Sequence, residues 1–399
     1  MICCIVFLFA GCSAEKGDVR SLLQNGVGHF SLFAENVLKS ISVQSFSDTY
    51  AQLKEPQYID WQTNRLYYEN LNETEKLAYR CIYNNIFGQP ERIAVPLLED
   101  GELDRLYTAL RNDNPQLLFL GEKASLLTAG ISCYFVPTYS MDYWQAREAV
   151  TDSAAAARAV LQNLPQNADD FEKLLYAHDA VCEMCVYGDN GNASNCSGVL
   201  LDHTATCAGY SKALKLMLDM LNIPSCTVTG NASDEESGTV SHMWLAVCID
   251  NQWSFCDPTW DDPVSEDGRQ VVEHSYFGLT REQLSMTHSD ITMPDTIVCD
   301  SENANYYVRR NLCCTDEAYA DVLLAGMQLA LSEGRPTAEF RFTDDALFEQ
   351  ACRELFEDDT IYALLQQAQL TNESLAADRI SYSTDDKHLY LKLNFVFDE

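Results

Sequence analysis

Thr206-Cys207-Ala208-Gly209-Tyr210-Ser211-Lys212-Ala213-Leu214-Lys215-Leu216-Met217-Leu218-Asp219-Met220-Leu221 is the stretch on which the fold turns. Ala213, Leu214, Met217, Leu218 and Leu221 recur at helical spacing, which predicts an amphipathic helix with one buried stripe. Cys207 stands just before that helix or in its first turn. There the unpaired N–H groups and the positive dipole end favour an anion, and so a thiolate over a thiol. Gly209 carries no side chain, which lets other backbone or a substrate come close. Cysteine is also a common small core residue, so the local run alone leaves Cys207 as nucleophile or as packing.

The second informative stretch lies downstream. His242-Met243-Trp244-Leu245-Ala246-Val247-Cys248-Ile249 reads as a strand, Asp250-Asn251 as a turn, and Gln252-Trp253-Ser254-Phe255-Cys256-Asp257 as the returning strand, ended by Pro258. A two-residue loop at Asp250-Asn251 sets Asp257 opposite Trp244. His242 is then one diagonal step away on the same face, with Cβ atoms about 7 Å apart, within reach of an imidazole–carboxylate hydrogen bond. A three-residue loop would change that pairing.

Taken together, Thr206-Cys207-Ala208-Gly209-Tyr210-Ser211, Ser241-His242-Met243-Trp244 and Asp257-Pro258-Thr259-Trp260-Asp261-Asp262 resemble the core of the bacterial transglutaminase-like superfamily. The resemblance covers roughly residues 170–290, including Tyr276-Phe277-Gly278-Leu279-Thr280. It implies an α+β fold of papain type, with a Cys-bearing helix packed on an antiparallel sheet that bears His and Asp, flanked by smaller α+β regions. It also implies a Cys-His-Asp triad: Cys207 as nucleophile, His242 as base, Asp257 as the orienting acid. The triad logic is general: the imidazole takes the thiol proton, the sulfur attacks an amide or ester carbonyl, and a thioester passes to water or an amine. The Cys207 N–H is the first candidate oxyanion donor. Gly209, Tyr210, Trp244 and Trp260 are the candidate cleft residues, and Asp261 and Asp262 read as a solvated turn. The sequence departs from the family at Leu245, where relatives often have Asn, and at Ser197, where they often have an aromatic residue.

The chain of 399 residues has room for two or three domains. Its formal charge of −34 argues against nucleic acid or an anionic membrane surface as partner. Residues 1–10 form an apolar run too short to span a bilayer. With Gly11-Cys12-Ser13 after it, this resembles a bacterial lipoprotein signal with Cys12 as the lipidated residue, although no Lys or Arg precedes Lys16. The expected organisation is a signal over 1–12, an N-terminal helical or α+β region over 13–165, the catalytic core over 166–290, and a C-terminal α+β module over 291–399. Segments at Tyr67–Glu75 and Asn112–Phe119 also resemble regions that precede this core in exported bacterial proteins. Of 16 cysteines, 13 follow Cys12, an odd and scattered set unlike a disulfide framework. Cys182-Glu183-Met184-Cys185 reads as two positions on a helix, and His178 as a satisfied histidine. No metal and no cofactor is implied.

The resulting expectation is an exported, membrane-anchored thiol enzyme, a peptidase, amidase or acyl transferase. Its substrate would be a protein or peptide outside the cell, and its membrane contact would run through the lipid alone. The alternative is a binding lipoprotein that keeps the fold without catalysis.

Overall fold

The computed structural model describes residues 43–44, 46–47, 49–129, 132–189, 191–234, 238–263, 272–370 and 377–397. Cys12 and the leader-like residues 1–12 lie outside the described residues, as do residues 13–42 of the expected N-terminal region.

The first helices are α1 (Leu66–Glu69) and α2 (Glu73–Ile86). Asn72 caps α2: its side chain accepts from Glu75 N–H, and the Glu75 carboxylate accepts from Asn72 N–H. The strand β1 (Ile93–Val95), helix α3 (Asp100–Asp113) and strands β2 (Leu120–Ala129) and β3 (Ser132–Tyr139) follow, with the strands in the antiparallel order β1-β3-β2. The buried Asp113 carboxylate takes the N–H groups of Tyr67 and Tyr68 at 3.0 and 2.8 Å and so fixes α1 against α3.

After α4 (Tyr143–Leu161) and α5 (Asp170–Glu183), two short parallel strands, β4 (Val186–Tyr187) and β5 (Thr204–Ala205), lead into α6 (Cys207–Met220). The expected amphipathic helix is present, but it is not buried on one stripe only. Every residue from Gly209 to Asp219 is buried, because α4, α5 and the main sheet all pack around it. Its charged residues therefore find partners inside. Lys215 Nζ bonds to Asp219, to the Asn64 carbonyl and to the Ser225 carbonyl, and Asp219 also accepts from Asn64.

The main sheet runs β10-β6-β7-β8-β9 and is antiparallel throughout: β6 (Ser225–Asp234), β7 (Gly238–Ile249), β8 (Gln252–Cys256), β9 (Phe277–Leu279) and β10 (His288–Thr292). Strand β6 runs on to Asp234 through Gly230. A Cβ there would sit 2.5 Å from Ser289 O and 2.8 Å from the Trp244 ring, so the glycine admits both neighbours to a continuous sheet. The β7–β8 register pairs Leu245 with Cys256 and Ile249 with Gln252. Asp250 and Asn251 both have positive φ, 52° and 61°, as a two-residue type I′ turn requires.

The chain continues through α7 (Arg281–Leu284) and α8 (Tyr306–Arg309). Asn305 caps the second by accepting from Tyr307 N–H and Val308 N–H. A four-stranded sheet follows, in the order β11-β12-β14-β13: β11 (Cys313–Cys314), β12 (Thr337–Phe342), β13 (Ala377–Asp385) and β14 (Tyr390–Phe397). Helices α9 (Tyr319–Ser332), α10 (Asp345–Cys352) and α11 (Thr360–Gln369) accompany it. The whole is α+β, with the Cys207 helix packed on an antiparallel sheet that carries His242 on β7 and leads into Asp257 directly after β8.

Candidate active site

Cys207 is the first residue of α6 and is half-buried. At that position the first-turn N–H groups have no intrahelical acceptor and point toward whatever lies beyond the helix end. The helix start is held tightly. Thr206 N–H donates to the Ala193 carbonyl at 3.0 Å, and a Cβ on Gly209 would fall 2.2 Å from that same oxygen and 2.7 Å from Ala205 Cβ. Gly209 therefore serves the packing of the 193–195 segment against the helix. One turn on, the Ser211 hydroxyl donates to the Met243 carbonyl at 2.9 Å and ties the Cys207 helix to the strand next to His242.

His242 Nε2 lies 2.6 Å from Asp257 Oδ2 in buried surroundings. A carboxylate can only accept, so Nε2 carries the proton, and Nδ1 is the nitrogen left to face the Cys207 thiol, which is near enough to interact with the ring. Burial works against the charge on His242, but Asp257 beside it, with the thiol's help, raises its pKa to about 10. Burial likewise opposes ionisation of Asp257, yet the charge and hydrogen bonds of His242 and His288 outweigh it and hold the carboxyl well below its usual range. The remaining oxygen, Oδ1, accepts from Thr259 N–H at 3.0 Å and Trp260 N–H at 3.4 Å. All four lone-pair directions of the carboxylate are thus used.

His288 was not anticipated. Its Nε2 donates to Asp257 Oδ2 at 3.1 Å, and its Nδ1 lies 2.9 Å from the Thr287 hydroxyl. The ring packs 4.8 Å from both Trp244 and Trp260. Nothing local marks it: His288 reaches the site only because β10 pairs with β6 at the far edge of the sheet.

The suggested cleft residues separate by burial. Trp244 is fully buried, its ring nearly parallel to that of His242 at 5.8 Å, so it supports the imidazole from beneath. Tyr210 is also buried, donating to Asp262 Oδ2 at 2.6 Å. Gly209 has no open space beside it. These three are therefore not walls of an open cleft. Trp260 is only half-buried and stands 6.1 Å from the His242 ring. The exposed Tyr187, on β4, is close enough to Cys207 to interact with it electrostatically. Asp261 and Asp262 do not form a solvated turn: Asp261 is buried, and burial raises its carboxyl to about 7 and that of Asp262 to about 6. Leu245 is buried in the sheet core, and Ser197 is buried in the segment before β5.

Residues 154–258 match the family model of the transglutaminase-like superfamily, a span that contains Cys207, His242 and Asp257. The chain carries a transglutaminase-like core. No curated protein matches it. Among solved structures, a TGase is similar at 18% identity over 45% of this chain and 54% of its own, with a TM-score of 0.25. A candidate cysteine protease from Cytophaga hutchinsonii is similar at 10% identity over 38% and 65%, with a TM-score of 0.25. The periplasmic domain of TgpA from Pseudomonas aeruginosa, bound to ethylmercury, is similar at 18% identity over 32% and 55%, with a TM-score of 0.21. This chain spans between about half and two thirds of the length of these structures. The part that matches the family model, residues 154–258, runs from within α4 to just past β8 and contains the buried imidazole–carboxylate pair.

Proposed function

We propose that the transglutaminase-like core is a thiol enzyme that cleaves peptide or protein amide bonds through Cys207, His242 and Asp257. The observation that carries this reading is the 2.6 Å contact between His242 Nε2 and the buried Asp257, with Cys207 at a helix start and near enough for its thiol to interact with the His242 ring. His242 Nδ1 takes the thiol proton, and the sulfur attacks the carbonyl carbon. The oxygen that becomes negative is met by the Cys207 N–H at the positive end of α6. Collapse of the tetrahedral intermediate breaks the C–N bond, and the leaving amine takes the proton from His242. A water molecule, deprotonated by His242, then attacks the thioester and releases the acid and the thiolate. An amine in place of that water turns the same path into acyl transfer. Half-exposed Cys207 and exposed Tyr187 leave the thioester open to solvent, which supports hydrolysis. The substrate would be a protein or peptide outside the cell, with Cys12 as lipid anchor; the apolar run ending at Gly11-Cys12-Ser13 supports that placement.

The test is iodoacetamide labelling at mildly acidic pH followed by peptide mapping. Cys207 should alkylate well before the other cysteines. Burial raises the Cys182 and Cys299 thiols to about 12, which leaves them unreactive by comparison. Cys207→Ala should remove all amide-cleaving activity against a fluorogenic peptide set while the far-ultraviolet circular dichroism stays unchanged. Equal labelling of several cysteines, or Cys182 reacting first, would count against the reading.

A further inference from the structure

Behind the Asp257 loop lies a second set of buried polar groups that this chemistry does not use. His178, on α5, is fully buried, and His274, in the segment before β9, nearly so. His178 Nδ1 lies 2.9 Å from Asp179 Oδ1, and His274 Nε2 lies 3.1 Å from the same oxygen. One atom from each of the three residues falls within 4.8 Å of the others. The other nitrogen of each ring faces its own carboxylate: His178 Nε2 is 3.2 Å from Asp261 Oδ2, and His274 Nδ1 is 3.3 Å from Glu339 Oε2. Those carboxylates are held in turn. Asp261 accepts from Tyr276 N–H at 2.8 Å, and Glu339 accepts from the Tyr307 hydroxyl at 3.2 Å.

Two imidazole nitrogens and one carboxylate oxygen that converge, each ring backed by a carboxylate on its outer nitrogen, form a familiar arrangement for a divalent transition metal. Zinc–nitrogen bonds of about 2.0–2.1 Å set ligand atoms about 3.3 Å apart in a tetrahedron. The separations of 2.9 and 3.1 Å need to open by a few tenths of an ångström, and the third, between the two ring nitrogens, lies within 4.8 Å. We propose that His178, Asp179 and His274 bind a divalent first-row metal ion, zinc by preference, with Asp261 and Glu339 orienting the two rings. The Asp179 side chain is about one third exposed, whereas the two rings are buried, so any fourth ligand would have to enter from the Asp179 side. Sequence spacing does not show this set, because His274 is nearly a hundred positions from Asp179 and Glu339 lies in another sheet.

The site would be structural. It joins α5 of the core to the 272–276 segment and, through Glu339, to β12 of the C-terminal sheet. It also backs the loop that bears the acid of the proposed triad. The Cys182 thiol donates to the Pro258 carbonyl at 3.2 Å, and Asp261 N–H donates to the Asp257 carbonyl at 3.2 Å.

The test is a titration of the chelator-treated full chain with Co(II), followed by calorimetry and visible absorption. One equivalent should bind, with the visible bands of a nitrogen and oxygen site and without the intense near-ultraviolet band of a thiolate ligand. Zn(II) should displace it and raise Tm. His274→Gln should abolish the visible bands, whereas His288→Gln, in the separate cluster around Asp257, should retain them. Should His274→Gln fail to fold, Glu339→Gln keeps all three ligands and should weaken binding about 10–100-fold. Absence of stoichiometric Co(II) binding, a thiolate-type spectrum, or binding that is unchanged in Glu339→Gln would overturn the proposal.

Discussion

Asp257→Asn exchanges one carboxylate oxygen for an amide NH2 at the most heavily bonded atom of the site. Oδ1 accepts from Thr259 N–H and Trp260 N–H, so the amide oxygen takes that side and the NH2 turns toward the rings. His242 Nε2 and His288 Nε2 then both face a donor where an acceptor had been. For His242 the proton is driven onto Nδ1, toward the sulfur, which is the wrong tautomer for a base. The electrostatic loss is also large. His242 titrates near 10 against an ordinary 6.5. At about 1.36 kcal/mol per unit this difference is roughly 5 kcal/mol of preference for the charged ring, an upper bound on what Asp257 supplies net of burial. The corresponding change in a serine-protease triad costs about 10⁴ in turnover. A thiol ionises with less help than a hydroxyl, so the expected loss here is on the order of 10 to 10³. The assay is the second-order rate of Cys207 alkylation at pH 6, paired with NMR titration of the His242 ring. The rate should fall by that factor, and the ring should titrate several units lower. An unchanged rate with an unchanged ring titration would refute the argument and leave Asp257 as a turn cap.

His288→Ala removes one of two donors to Asp257 Oδ2 but leaves His242 in place. It should slow Cys207 alkylation less than Asp257→Asn does while lowering stability by about 1–3 kcal/mol, read from urea unfolding. Gly209→Ala forces a Cβ to within 2.2 Å of a backbone oxygen, so unfolding should show a loss of at least about 1–3 kcal/mol, or no folded protein at all. Lys215→Met leaves the buried Asp219 without its cation and should cost about 3–5 kcal/mol, whereas Lys215→Met with Asp219→Leu should cost less than the single change. The folded pKa of His242 lies above its ordinary value. Its contribution to stability is therefore complete below pH of about 6.5 and is lost as pH rises through about 10. The stability gap between wild type and His242→Gln should accordingly be wide at pH 6 and narrow at pH 10.5.

The sequence determined the parts of this protein that depend on neighbours along the chain. Helical spacing after Cys207 placed that residue at a helix start, and the Asp250-Asn251 turn set the register that brings His242 to Asp257. Both follow from local rules: the period of a helix and the two-residue type I′ turn. The Cys-His-Asp order and the Asp257-Pro258-Thr259-Trp260-Asp261-Asp262 run then pointed to the transglutaminase-like core. What the chain could not disclose in one dimension is what sits behind those residues. The Cys207 helix read as half exposed, but its surroundings come from elements far along the chain, and so Lys215 and Asp219 became a buried pair. Trp244 and Tyr210, large and aromatic beside the motifs, read as cleft walls, and packing put them underneath. His288 and the His178–Asp179–His274 cluster have no sequence signature, because their partners meet only when a sheet edge, a helix and a second sheet come together. Burial then decides their chemistry: a carboxylate without water must be satisfied by whatever donors the fold supplies, and only the tertiary structure says which those are.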